Sequence, residues 1–255
     1  MKVLFVGPSL AGVEYSRDGL EIRGPAANGD LTAAVLGGAE AIGLVDGVFG
    51  SVAAVWHKEI LFALSEGVRV FGAASMGALR AAECARFGME PVGVIAERYL
   101  DGSLDDDAAV ALLHMPAELG WGPLTEPLVD VDATLAVLAG QGLISPEEAR
   151  DMAAGSAAIF FMQRTVEAIA ACCNCRESRR ETLKILYEIY RTSQKRQDAL
   201  ELVRQLRAAG RPRQPEADGW TLAQPPMWRA RLAWAREAAG APPAQPGFSR
   251  SAHAP

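Results

Sequence analysis

Short apolar runs alternate with amphipathic segments along the first hundred residues of the chain. Four apolar runs have the length of strands: residues 2–6, 41–45, 68–72 and 92–95. Three segments between them have the length and periodicity of helices, and a glycine follows each closely: residues 30–36, 55–65 and 76–87. Short strands that alternate with helices predict a parallel sheet joined by right-handed crossovers. The predicted fold class is α/β, a small Rossmann-like parallel sheet flanked by helices and followed by a mostly helical region.

The pattern changes after about Asp105, where the chain becomes mostly helical. No glycine or proline occurs from Glu177 to Ala209, and apolar residues recur there at steps of three and four. From Gly210 the chain is rich in Pro and Ala, and disorder is predicted for its last ~15 residues, from Gly240. We therefore predict three regions: an α/β core that carries the catalytic face (1–104), a helical region (105–209), and a partly disordered tail (210–255).

Charge and composition exclude several classes of function. The 255 residues have a formal net charge of −6, which is unfavourable for binding duplex nucleic acid. No apolar run reaches the roughly 18 residues that a membrane-spanning helix needs, and the first apolar run is too short for a signal peptide. Four cysteines without a secretory signal are typical of a reducing compartment. We expect a cytoplasmic protein that binds neither nucleic acid nor a membrane.

The clearest local signal surrounds Ser75. Parallel sheets carry their chemistry beyond the carboxyl ends of the strands, and Phe71–Arg80 reads as a strand, a turn of small residues and a helix. This is the arrangement of a nucleophile elbow, here with the pattern A-x-S-x-G. The backbone N–H groups of Met76 and Gly77, at the start of the helix, are candidates to stabilise an oxyanion. The alternative is that Ser75 only caps the helix.

A nucleophilic serine needs a base, and the candidates are few. Of the histidines, His253 lies in the tail and His114 stands at a predicted helix end. Lys58 is predicted in the first turn of a helix near the strand ends, where the helix dipole disfavours its positive charge. A neutral Lys58 is then a candidate base for Ser75, as in Ser–Lys variants of the catalytic triad. His57 is a rival base, and an exposed lysine without a catalytic role is the alternative.

Three more side chains are expected at the same face of the sheet. Ser9 and Asp46 follow two of the predicted strands, and Arg80 lies one turn into the helix after Ser75. Together with His57 they are candidates for substrate binding. Each has a structural alternative as a turn residue, a cap or a member of a salt bridge.

No metal or cofactor is expected. The acidic run 101–107 lacks the spacing of an EF-hand and is better explained as the acidic start of a helix. Cys172, Cys173 and Cys175 do not have the spacing of a zinc site. Gly72 and Gly77 have the spacing of a P-loop, but the Lys and the Ser or Thr of that motif are missing.

Two long and unusual strings occur in the α/β part, VWHKEIL at residues 55–61 and GAASMGALRAAE at residues 72–83. Shorter strings accompany them at residues 7–10, 44–49, 87–89 and 99–102. Through these strings, the chain resembles the TfuA-like proteins over about residues 1–140.

The resemblance implies a role beside a YcaO enzyme in making peptide thioamides. The implied activity is hydrolysis of a thiocarboxylated, ubiquitin-like sulfur carrier by a Ser–Lys pair, which supplies sulfide for thioamidation of a ribosomally made peptide. Ser75 and Lys58 are the motif positions that fit the pair. The implied partners are the YcaO enzyme, the sulfur carrier and, through the YcaO complex, the precursor peptide.

Two other functions are left open by the sequence. The protein could be a non-catalytic docking module that joins the sulfur carrier, the YcaO enzyme and the peptide. It could also be a small-molecule hydrolase or a nucleotide-binding protein unrelated to sulfur. The lack of a G-x-G-x-x-G motif and of a plausible His–Asp pair argues against this last function.

Overall fold

The computed structural model describes residues 1–48, 50, 52–210 and 219–240. A five-stranded sheet of order β2-β1-β3-β4-β5 lies at the centre, and all its neighbouring strands are parallel. The strands are β1 (Lys2–Phe5), β2 (Leu20–Arg23), β3 (Ala41–Leu44), β4 (Arg69–Ala73) and β5 (Glu90–Val92). The predicted α/β fold class is confirmed.

Two strands differ from the prediction. The edge strand β2 was not predicted, because its four residues include only two apolar side chains and form no apolar run. Its two charged residues, Glu21 and Arg23, pair with each other at 2.6 Å. The strand predicted at residues 92–95 lies earlier, at Glu90–Val92. It ends there because Gly93 has φ = 86°, a left-handed conformation that breaks the strand, and Val94 already begins a helix.

Four helices follow the strands of the α/β part: α1 (Asp30–Leu36), α2 (His57–Ser65), α3 (Met76–Cys84) and α4 (Val94–Leu100). Five form the helical region: α5 (Leu128–Gly140), α6 (Pro146–Ala158), α7 (Val166–Ala171), α8 (Glu177–Tyr190) and α9 (Gln194–Ala208). The segment after residue 222 is a separate compact unit, in which α10 (Pro226–Gly240) is described. The disorder predicted for the last residues of the tail lies outside the described residues. Within the described residues, no helix is both long and apolar enough to span a bilayer.

The two faces of the sheet are covered by different parts of the chain. Helices α1, α2 and α3 bury one face around Leu31, Ile60 and Ala81. The other face is covered by α9, whose apolar stripe includes Leu202 and Leu206. Each fully buried leucine contributes roughly 1.5–3 kcal/mol. The last helix of the helical region therefore returns to the sheet and completes its core.

Buried carboxylates hold the start of α9 in place. Asp198, in α9, accepts the Val94 and Ile95 N–H groups at the start of α4, at 3.1 and 2.8 Å. Asp130, in α5, accepts the backbone N–H of Lys195 at 3.0 Å. Burial raises the pKa of both carboxyls. These bonds fix the first turn of α9 close to the ends of the strands.

Candidate functional site

A buried carboxylate joins two loops at the carboxyl ends of β1 and β3. Asp46 Oδ2 accepts the N–H groups of Gly7 and Ser9 at 2.8 and 3.0 Å, and Oδ1 accepts the Ser9 hydroxyl at 2.7 Å. Both Asp46 and Ser9 are buried. The Ser9 hydroxyl thus holds the loop after β1 against Asp46, whereas Asp46 also lines a cavity.

Ser75 lies in the sharp turn between β4 and α3. Ala74 before it has φ = 66°, a left-handed conformation that costs a residue with a side chain roughly 1–2 kcal/mol. The Ser75 N–H donates to the Ala73 carbonyl oxygen at 2.7 Å. Ser75 stands at the N-cap position, but its side chain makes no capping hydrogen bond, and its Oγ has no partner among the described residues. The turn therefore presents an unpaired hydroxyl.

Gly77 lets α3 approach the sheet closely, because a Cβ at this position would overlap the Leu44 carbonyl of β3. The Gly77 N–H donates to the Val45 carbonyl oxygen at 3.1 Å. Of the two amides predicted to stabilise an oxyanion, only that of Met76 has no hydrogen bond within the described part of the chain. The Gly77 amide could take this role only after its bond to Val45 is released.

Ser75 and Asp46 line one cavity of about 420 Å³. Segments 110–114 and 161–162 of the helical region supply much of the remaining wall. Arg164 is buried beside the second segment, and its guanidinium donates to three carbonyl oxygens, those of Ser156, Glu126 and Ile159. The cavity therefore lies between the strand-end loops and the helical region, and both parts of the chain shape it.

Lys195, at the start of α9, lines the same cavity. The residue is 2% exposed, and its Nζ donates to the Val110 carbonyl oxygen at 2.7 Å. Burial lowers the pKa of the Lys195 ammonium, while the carboxylates of Asp46 and Asp130 act in the opposite direction. The Lys195 amine, whose charged form is disfavoured by burial, thus lines the same cavity as Ser75.

Lys58 is not among the residues that line this cavity. It is the second residue of α2, as the sequence predicts, and it is half-buried. No residue of α2 lines the cavity, and Lys58 makes no hydrogen bond or ion pair with the residues that the structure describes. Lys58 is therefore not part of the described wall of the cavity that Ser75 lines, and its pairing with Ser75 stays a prediction.

His57 and Arg80 belong to a surface cluster outside the cavity. His57 Nε2 and Arg80 Nη1 both lie 2.7 Å from Glu83 Oε2. The Arg80 Nε also donates to the Val55 carbonyl oxygen at 3.0 Å, which ties α3 to the start of α2. Neither side chain lines the cavity that holds Ser75.

Sequence reasoning missed two cavity residues, Lys195 and His114. Lys195 lies in the predicted helical stretch from Glu177 to Ala209, and its burial depends on where α9 packs. His114 precedes Met115 and Pro116, and the sequence predicts it at a helix end. In the structure it forms an isolated antiparallel β-bridge with Pro123. The only signal for Lys195 in the sequence is its position at a helix start, beside the N-cap Ser193.

Comparison with known proteins identifies the segment that holds Ser75. The family model described as TfuA-like protein matches residues 46–165. Over this segment, the chain is similar to the TfuA-like proteins. The resemblance expected from the sequence is thus confirmed. No curated protein matches the chain. The matched segment includes Asp46, Lys58, Ser75 and His114, whereas Lys195 lies outside it.

TfuA-like proteins are associated with YcaO-dependent thioamidation and are linked to YcaO enzymes. The matched segment contributes the Ser75 turn and most of the wall of the cavity. The site therefore lies largely in a segment that is similar to a family associated with peptide thioamidation.

Proposed function

We propose that this protein hydrolyses the thiocarboxylate of a ubiquitin-like sulfur carrier and so supplies sulfide for YcaO-dependent thioamidation of a ribosomally made peptide. One observation carries the proposal: the unpaired hydroxyl of Ser75 and the buried amine of Lys195 share one cavity. The association of the family with thioamidation supplies the sulfur chemistry.

Ser75 is the nucleophile, and Lys195 is its base. A lowered pKa increases the fraction of neutral amine at Lys195. The Val110 carbonyl engages one N–H of that amine, which leaves the lone pair able to accept a proton. The pair expected from the sequence used Lys58, which does not line this cavity, whereas Lys195 does. Lys195 therefore takes its place in the proposal.

The acylation step conserves every atom and proton. Ser75 Oγ attacks the thiocarboxylate carbon, a carbon–oxygen bond forms, and the carbon–sulfur bond breaks. The proton of Oγ passes through Lys195 Nζ to the departing sulfur, which leaves as hydrosulfide. The Met76 N–H, at the positive end of α3, stabilises the oxyanion. Water then hydrolyses the Ser75 ester and releases the carrier with a carboxylate.

Three partners follow from this reaction. The sulfur carrier brings the thiocarboxylate to the cavity. The YcaO enzyme receives the sulfide, and the precursor peptide is reached through the complex with that enzyme.

The proposal is tested by sulfide release. The purified protein is mixed with a thiocarboxylated ubiquitin-like carrier, and sulfide is measured over time for the wild type and for Ser75→Ala. We expect catalytic release by the wild type and a loss of at least about 1,000-fold in the variant, because the nucleophile is removed. Equal release by both proteins would contradict the nucleophile, and no release by a folded wild type would contradict the hydrolase.

Exposed apolar side chains favour a second candidate, the non-catalytic docking module. Leu119, Leu124, Phe160 and Met162 are 64%, 51%, 56% and 48% exposed, in or beside the segments that form the cavity. Such side chains are typical of protein-binding surfaces. Docking without chemistry would be supported if the wild type binds the carrier and the YcaO enzyme but releases no more sulfide than Ser75→Ala.

A further inference from the structure

His114 is a second basic side chain in the wall of the cavity that holds Ser75. It is half-buried, and its neighbours Leu112 and Leu113 also line the cavity. The other described histidine, His57, lies on the surface with a side chain that is 51% exposed and paired with Glu83. Of these two histidines, only His114 lines the cavity that Ser75 lines.

The surroundings of His114 determine which ring nitrogen can accept a proton. Nδ1 lies 2.8 Å from the Met115 carbonyl oxygen. A carbonyl oxygen can only accept, so Nδ1 carries the hydrogen, and the neutral ring keeps its lone pair on Nε2. The Trp121 ring packs edge-on against the imidazole, with 5.3 Å between the ring centroids, and restricts its rotation. His114 is thus held in the tautomer of a general base.

Lys195 is less well suited to the second half of the reaction. Acylation returns it to the neutral amine, but it is 2% exposed, with its Nζ held by the Val110 carbonyl. The water that attacks the ester must enter from solvent into the space that the sulfide has left. His114 is the more exposed of the two bases and lies on the segment that borders this space.

We infer that His114 is the base that activates water for hydrolysis of the Ser75 acyl-enzyme, an inference that rests on the proposed function. His114 Nε2 takes a proton from the water while the water oxygen bonds to the acyl carbon. The bond between that carbon and Ser75 Oγ then breaks, and Oγ receives the proton back from the imidazolium. The products are the regenerated hydroxyl and the carrier's carboxylic acid, which releases the second proton of the water to solvent and becomes the carboxylate, so atoms and protons balance.

The test is His114→Asn, which keeps an N–H group near the position of Nδ1 and removes Nε2. Because sulfide leaves during acylation, a block in the second step produces a burst of one sulfide per enzyme, followed by slow turnover. We expect the burst rate to match the wild type and the later steady rate to fall about 100-fold, the usual contribution of a general base. Intact-protein mass spectrometry should show the acyl group on Ser75.

The matched comparison is His57→Asn, whose imidazole lies outside the cavity. It should show neither a burst nor an acyl-enzyme. Normal steady turnover by His114→Asn would overturn the inference, as would a parallel loss of burst and turnover, which would indicate a structural role. A wild type that releases no sulfide would overturn the proposed function itself, so the two failures are distinguishable.

Discussion

Ser75 and Lys195 line the same cavity, but the chain brings them there in different ways. Ser75 is positioned by its immediate neighbours, through the left-handed Ala74 and the close approach of α3 at Gly77. Lys195 is positioned by segments far away in sequence, through Asp130 in α5 and the packing of α9 on the sheet. The nucleophile is therefore a local feature of the chain, and the proposed base is a tertiary one.

This difference explains which member of the pair a short motif can reveal. The turn around Ser75 needs small residues at fixed positions, and these are visible in the sequence. Nothing near Lys195 distinguishes it from the neighbouring basic residues until α9 is placed on the sheet. Variants that perturb the turn at Ser75 and the packing around Lys195 separately test whether the two side chains are positioned independently.

The largest effect is expected from Gly77→Ala. Its Cβ would overlap the Leu44 carbonyl, so α3 must move away from β3, at a cost of about 3 kcal/mol in the free energy of unfolding. The control is Gly140→Ala in α5, where a Cβ meets no atom within 4 Å and the change should stay below about 1 kcal/mol. Urea unfolding measures both, and equal stabilities would refute the local account of the turn.

A second prediction concerns the pH dependence of stability at Lys195. Its folded pKa lies below the usual value of 10.5, so the unfolded chain binds more protons between the two values. The wild type should therefore gain stability relative to Lys195→Met as pH rises toward 10.5. Urea unfolding at several pH values measures the difference. A constant difference would mean that burial does not disfavour the charged amine.

Asp46→Asn should change the pH dependence of the reaction. The Asp46 carboxylate raises the pKa of Lys195, so its removal lowers that pKa and moves the acidic limb of the rate profile to lower pH. The amide oxygen can still accept the Gly7 and Ser9 N–H groups, and the amide nitrogen can donate to Ser9 Oγ. An unshifted profile from a folded variant would argue against Lys195 as the titrating base.

The smallest effect is expected from Glu83→Gln. Glu83 holds the surface cluster of His57 and Arg80, and exposed ion pairs of this kind contribute less than about 1 kcal/mol. Sulfide release should keep both its kcat and its KM. A raised KM would indicate that the cluster contacts the carrier after all and would restore the substrate-binding role predicted for His57 and Arg80.

Much of the fold is predictable from periodicity, because the strand–helix alternation of the first hundred residues is local. The predicted span of α1 matches exactly, and α3 begins at Met76 as expected. The edge strand β2 was not predicted, because its two apolar residues form no apolar run. Strand β5 ends earlier than predicted, because Gly93 breaks it.

The candidate site is predictable only in part. Ser75 and Asp46 were expected at the strand ends, and both line the cavity. Lys58 has the predicted place in a first helical turn, but a position along one helix does not determine what that helix faces. Lys195 and His114 come from segments whose approach to the sheet depends on long-range packing, which no local pattern records.

The central claim is that Lys195, and not Lys58, acts with Ser75. The most direct measurement is sulfide release from the thiocarboxylated carrier by Lys195→Met and Lys58→Met, with thermal unfolding to show that both variants are folded. We expect a loss of at least about 100-fold for Lys195→Met and a rate close to that of the wild type for Lys58→Met. The reverse result would contradict the central claim and would restore the pair expected from the sequence.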